Sequence, residues 1–158
     1  MLKLMILPFL LAASFAAAVL PTWEITEDYA VRFSTQRAEG TFTDLRGTVN
    51  FSPDDLLNAS FDVSVATASI ATGNKTKDKH ARGKAWFDAE QHPRISFVSN
   101  RFTASETGYV VSGTMTIKGI AMPQTISFTF TPTADGGLFV GTTTINRADF
   151  DLDGPFLF

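Results

Sequence analysis

The sequence predicts an all-β fold of antiparallel strands, interrupted by one short helical crossover. Three observations predict it. Apolar and polar residues alternate with a period of two from Trp23 onward, short turn signals separate the alternating runs, and one longer stretch, 73–93, breaks that rhythm. A period of two puts successive side chains on opposite faces of a strand. Evenly spaced strands of this kind close into a barrel or stack as a sandwich.

Taken in order, the first element is a leader. "MLKLMILPFLLAASFAAAVLP" carries Lys3, an apolar run from Leu4 to about Phe15, and then Ala16, Ala17 and Ala18. That is the pattern of a secretory signal peptide, with Ala16 and Ala18 fitting an A-x-A cleavage site. A cleaved leader over 1–18, a mature domain over 19–158 and a periplasmic or secreted location are therefore expected. The alternative is a membrane anchor, for which the apolar run is short.

The strands are expected at about 23–34, 40–51, 59–70, 94–103, 109–118, 124–132 and 138–146. "ASFDVSVATASI" sets Phe61, Val63 and Val65 against Asp62 and Ser64. "YVVSGTMTI" aligns Val111, Met115 and Ile117, with the small Gly113 between them. "QTISFTFTPT" aligns Ile126, Phe128 and Phe130 against a row of hydroxyls. Thr and Phe also suit strands by propensity. "SPDD", "SETG", "KGIAMPQ" and "ADGG" read as the connections. Within the crossover, Ala81, Ala85 and Trp86 have the spacing of one or two helical turns.

Composition narrows the function. The 158 residues suit one domain, and a formal net charge of −3 gives no case for nucleic acid. The absence of Cys excludes disulfides, thiolate metal sites and a lipid-modified N-terminal cysteine. No G-x-S-x-G, no H-E-x-x-H and no Gly-rich phosphate loop occurs, so neither a catalytic set nor a cofactor is expected. Hydrophobic residues make up 44% of the chain and include 15 Phe, more apolar material than a core of this size needs. A closed barrel of about eight strands is either filled by side chains or holds one small ligand. The inward candidates are Phe33, Phe42, Phe51, Phe61, Val63, Phe97, Met115, Ile117, Phe128 and Phe130. Periodicity alone leaves both a packed core and a container open.

Several motifs then converge. "WEITEDYAVRFST", "EGTFTDLRGTVNFSPDD", "SIATGNKTKDKHARGKAWFD", "HPRISFVS", "GTMTIKGIAMP" and "INRADF" occur in this order from Trp23 to Phe150. The chain resembles the YceI-like family, secreted lipocalin-like barrels associated with isoprenoid lipids. The resemblance implies an antiparallel lipocalin-like β-barrel around an apolar, isoprenoid-like tail. It also implies that the crossover bearing His80, Trp86 and Phe87 shapes the mouth. Ala81 stands where the family usually has Leu, and Asp151 where it usually has Gly. Family members continue through a further closing strand, so a barrel incompletely closed at its C-terminal side is expected. Phe156, Leu157 and Phe158 would patch that seam, or its edge would favour a homodimer.

Other polar residues are read singly. His80 and Asp78 could form a metal pair, or a base and its orienter, or simply hold the crossover together. His92, before Pro93, reads as a strand-boundary residue. Asn146 and Arg147 could bond a ligand head group or tie adjacent backbone. The basic run Lys75, Lys77, Lys79, Arg82 and Lys84 reads as a solvated face or as an attraction for lipid phosphate. Asn58 and Asn74 fit a glycosylation pattern that is common by chance.

Overall fold

The structure, a computed structural model, describes residues 19–152 and Gly154. The expected leader and the terminal Phe156, Leu157 and Phe158 lie outside the described residues.

Nine strands are present among them. These are β1 (Thr22–Trp23), β2 (Val31–Ser34), β3 (Glu39–Phe42), β4 (Arg46–Asn50), β5 (Ser60–Ala66), β6 (Arg94–Ser105), β7 (Gly108–Ile117), β8 (Ile120–Thr133) and β9 (Gly136–Thr142). The helix α1 (Lys75–Arg82) forms the crossover between β5 and β6, and short 3-10 turns span Thr67–Ser69 and Arg147–Phe150. One seven-stranded antiparallel sheet runs β1-β4-β5-β6-β7-β8-β9, and β2 and β3 form a separate ribbon. Thr41 of the ribbon exchanges two backbone hydrogen bonds with Ala71, at 2.9 and 3.0 Å. The result is a nearly closed barrel with an unsealed seam, as the sequence predicts.

Two strands expected to be continuous are broken. The run 23–34 divides into β1 and β2, and the run 40–51 into β3 and β4. The second break lies at Asp44, whose φ of 58° is left-handed. An Asp tolerates that region better than most residues. Here Arg94 and Arg46 hold it in place. Arg94 donates to Asp44 Oδ2 at 2.9 Å and to the Asp44 carbonyl at 2.7 Å, and Arg46 also donates to the carboxylate. The first break falls between β1 and β2, over residues 24–30, and nothing in the structure gives it a comparable local cause.

The β7–β8 connection is much tighter than expected. Ile117 pairs with Ile120, so only Lys118 and Gly119 turn, and both have positive φ (51° and 75°). Such a two-residue turn matches the right-handed twist of its strands. The His92 ring packs on Gly119, where an added Cβ would lie 2.7 Å from His92 Cε1. Lys118 Nζ reaches Asp151, donating to its carbonyl at 2.7 Å and its carboxylate at 3.1 Å. Asp151 itself is left-handed, with φ of 53°. That is a conformation glycine adopts without steric cost.

Strand β6 contains a bulge. Ser99 pairs with Gly113 and Arg101 with Ser112, which leaves Asn100 as the extra residue. The extra residue reverses the alternation, so Phe97 and Phe102 both face inward and are both buried. Gly113, paired with Ser99, lies against the Phe97 ring, which an added Cβ would meet at 2.7 Å.

The seam lies between β9 on one bank and β1 and β2 on the other. No hydrogen-bonded ladder crosses it among the described residues. At the β1 end aromatic rings close it, with Trp23 edge-on to Phe130 at 5.3 Å and to Phe139 at 5.8 Å. At the β2 end it stays open. The outer face of β9 leaves Leu138 55% and Val140 54% exposed.

Candidate functional site

The barrel interior is divided into a solid half and a hollow half. Phe51 is the hub of the solid half and has no exposed surface. Ring centroids lie around it at 5.0 Å (Tyr109), 5.3 Å (Phe128 and Phe130) and 5.6 Å (Phe139). Phe61 and Phe102 add an edge-to-face pair at 4.9 Å. Such geometries place the positive edge of one ring on the negative face of another. Trp23 Nε1 donates to the Phe51 carbonyl at 2.8 Å, so the indole satisfies its polar group while sealing this end.

The hollow half is a cavity of about 760 Å³. That is within the range of roughly 300–1,000 Å³ usual for small-molecule sites. Its sheet wall begins where Val63, Phe97 and Met115 pair in one row across β5, β6 and β7, and continues with Val65, Ile95 and Ile117. The ribbon contributes Val31, Phe33 and Phe42, and the crossover contributes Ile70, Ala81, Trp86 and Phe87. Phe42 links the two, with Phe33 at 5.4 Å and Phe87 edge-on at 5.8 Å. The banks of the open seam, residues 30–35 and 141–145, also line the space.

The crossover is anchored by polar contacts. Asn74 caps α1, its Oδ1 accepting from the backbone N–H of Thr76 and Lys77 at 3.0 and 3.1 Å. Asp78 Oδ1 accepts from the Thr72 backbone N–H and hydroxyl, both at 2.7 Å. The Thr72 hydroxyl bond, then its backbone bond, hold the Asp78 carboxyl below the ordinary aspartate value against some desolvation, with help from Arg82. At Asp44 desolvation is the largest single influence and pushes upward, but the bonds and charges of Arg46 and Arg94 together outweigh it. Arg82 Nη2 donates to the Ile70 carbonyl at 3.1 Å. His80 lies two positions from Asp78, and residues so spaced on a helix do not face each other. Among the described residues no three His, Asp or Glu side chains gather in a way that could hold a metal.

The cavity is completed by the C-terminal turn. Arg147 stacks on Trp86, its guanidinium carbon 5.4 Å from the ring centroid. The backbone at Gly154 runs against the same indole and leaves no room for a Cβ, which would lie 2.8 Å from the Ala85 carbonyl.

The expected inward residues are thus separated by level. Phe33, Phe42, Val63, Phe97, Met115 and Ile117 line the cavity together with His80, Trp86, Phe87 and Arg147. Phe51, Phe61, Phe128 and Phe130 lie in the aromatic plug. Alternation reports the face of a strand and not the height along it, so it mixes the two groups. Asn146 caps the last 3-10 turn, accepting from the Ala148 N–H at 3.2 Å and donating to Asp149 at 3.1 Å. Val65 and Ile126 also line the cavity, on strand faces that alternation marks as apolar. Leu45, Ile145 and Leu152 lie in breaks and turns, where no period marks them.

Comparison with known proteins agrees with this architecture. The profile of the YceI-like domain matches residues 23–156. A UPF0312 protein of Pseudomonas savastanoi pv. phaseolicola is 33% identical over 123 residues, covering 73% of this chain and 64% of that protein. The chain thus spans less than two thirds of that relative's length. The crystal structure of Burkholderia cenocepacia BcnA superimposes with a TM-score of 0.70 at 32% identity, over 78% of this chain and 79% of BcnA. A Campylobacter jejuni YceI protein shares the fold with a TM-score of 0.63 at 22% identity, over 96% of this chain and 85% of that one. The motifs, the barrel and these likenesses agree, and the chain belongs to the YceI-like family.

Proposed function

We propose that this protein is an extracytoplasmic binding protein that sequesters or carries an apolar, isoprenoid-like lipid. The observation that carries the reading is the cavity of about 760 Å³, walled mainly by aliphatic and aromatic side chains and ending on a solid aromatic plug. A packed interior would have no such space. Burial of an apolar tail gains about 0.8 kcal/mol per methylene before the cost of immobilising it. The lipid enters at the β2 end of the barrel, under the crossover and along the open seam. The leader read from the first 18 residues supports export, and the family's association with isoprenoids supports the lipid class.

The two tryptophans provide a test, because Trp86 lines the cavity and Trp23 belongs to the plug. Titration with farnesol should change tryptophan emission saturably. Trp23→Phe should keep the change and Trp86→Phe should abolish it. A folded protein whose emission does not respond, and which retains no farnesol by equilibrium dialysis, contradicts the reading.

A further inference from the structure

The cavity has a floor, and Phe97 stands at its centre. Val63, Phe97 and Met115 pair in one row across β5, β6 and β7, and all three border the hollow half. The next side chains along the same strand faces are Phe61 on β5 and Val111 on β7. Both pack in the plug, and neither borders the space. Phe97 belongs to both halves. It lines the cavity, and it packs in one cluster with Phe51, Phe102 and Phe128.

The floor is fixed from below. The Phe97 ring lies against Gly113, where an added Cβ would stand 2.7 Å from Cζ. The ring thus fills space that a side chain at 113 would otherwise take. Beneath the row, Phe61 packs against Phe102 at 4.9 Å and against Phe128 at 5.4 Å between ring centroids. An interior packed in this way resists an incoming chain rather than opening for it. A chamber with a rigid floor at one end and an entrance at the other measures what enters it.

We propose that Phe97 sets the length of apolar chain that the cavity accepts, its ring being the stop against which the buried end of the lipid comes to rest. The inference rests on the container reading above and adds to it the determinant of ligand length. Each methylene that fits between mouth and stop adds up to about fourfold in affinity. Methylenes beyond that number stay outside and add nothing.

The test uses n-alkanols from octanol to octadecanol, below their solubility limits, competing with farnesol in equilibrium dialysis. Wild-type affinity should rise with each methylene and then level off at one chain length short of octadecanol. Phe97→Leu lowers the floor with a side chain that a core tolerates, so the levelling point should move to a longer chain. Val63→Phe adds a ring beside the stop and should move it to a shorter one. Opposite shifts separate a stop from a general loss of packing, which would weaken every chain length alike. An affinity that climbs through the whole series overturns the stop, because the chain then penetrates the plug. Levelling at one length in all three proteins, or alkanols that all fail to displace bound farnesol, also overturns it and leaves the container standing. If farnesol itself does not bind, the container reading fails and the stop falls with it.

Discussion

At the scale of single residues, Phe51 contributes most to the solid half of the barrel. It is fully buried, and four ring centroids lie between 5.0 and 5.6 Å from its own. Truncating it removes the centre of the plug, and the neighbouring rings, held by their own strands, relax only in part. Phe51→Ala should therefore lose about 3–5 kcal/mol of stability, read as the shift in a urea unfolding midpoint at unchanged slope. A loss under about 1 kcal/mol would mean that the plug collapses around the gap and that this end is not rigidly packed. The importance of Phe51 was only partly legible. Its place as an inward residue follows from "TVNFSPDD", but its place as the hub depends on strands far apart in sequence, which periodicity cannot bring together. Phe102 was less legible still. The Asn100 bulge moves it onto the face of Phe97, and a strict period of two assigns the pair to opposite faces.

At the scale of elements, the crossover shows what sequence can and cannot specify. Its length and its break in rhythm announced a segment lying across the barrel, and the spacing of Ala81, Ala85 and Trp86 announced helical turns. The helix ends at Arg82, before Trp86, and its start is set by the Asn74 cap. That start was legible in principle, since Asn is a favoured cap. Asp78 was read as a candidate partner of His80, but the structure commits it to Thr72. Its carboxyl is held below the ordinary aspartate value of 3.8. A depressed native pKa means that the ionised form is favoured by folding, so the contribution is fully present above the unfolded-state value. It is lost as pH falls through the native one. Asp78→Asn should accordingly lower the thermal midpoint at neutral pH. The difference from wild type should shrink as pH falls below 3.8 and vanish beneath the native pKa. A difference independent of pH would show that the tether does not depend on the charge.

At the scale of the whole molecule, one sheet performs two tasks along its length. Toward β1 it closes on rings and is filled. Toward β2 its edges stay apart and it encloses space. The sequence made the barrel legible because alternation, turn chemistry and family motifs all agreed on it. The choice between container and solid core was not legible, because a strand face records only that a residue points inward. The structure has a filled half and a hollow half, divided near the row of Val63, Phe97 and Met115. Among the described residues the edge of β9 is unpaired, and Leu138 and Val140 are exposed beside it.

The central claim is that the hollow half carries lipid, and the most direct measurement is to look for that lipid. The mature protein would be exported to a bacterial periplasm, purified without detergent and extracted with organic solvent, and the extract analysed by mass spectrometry. The account predicts a long-chain apolar molecule at close to one per protein, absent from a parallel extract of a variant whose cavity is filled by Ala81→Trp and Val65→Phe. A folded wild-type protein that yields no such molecule, or yields the same one from the filled variant, would contradict it.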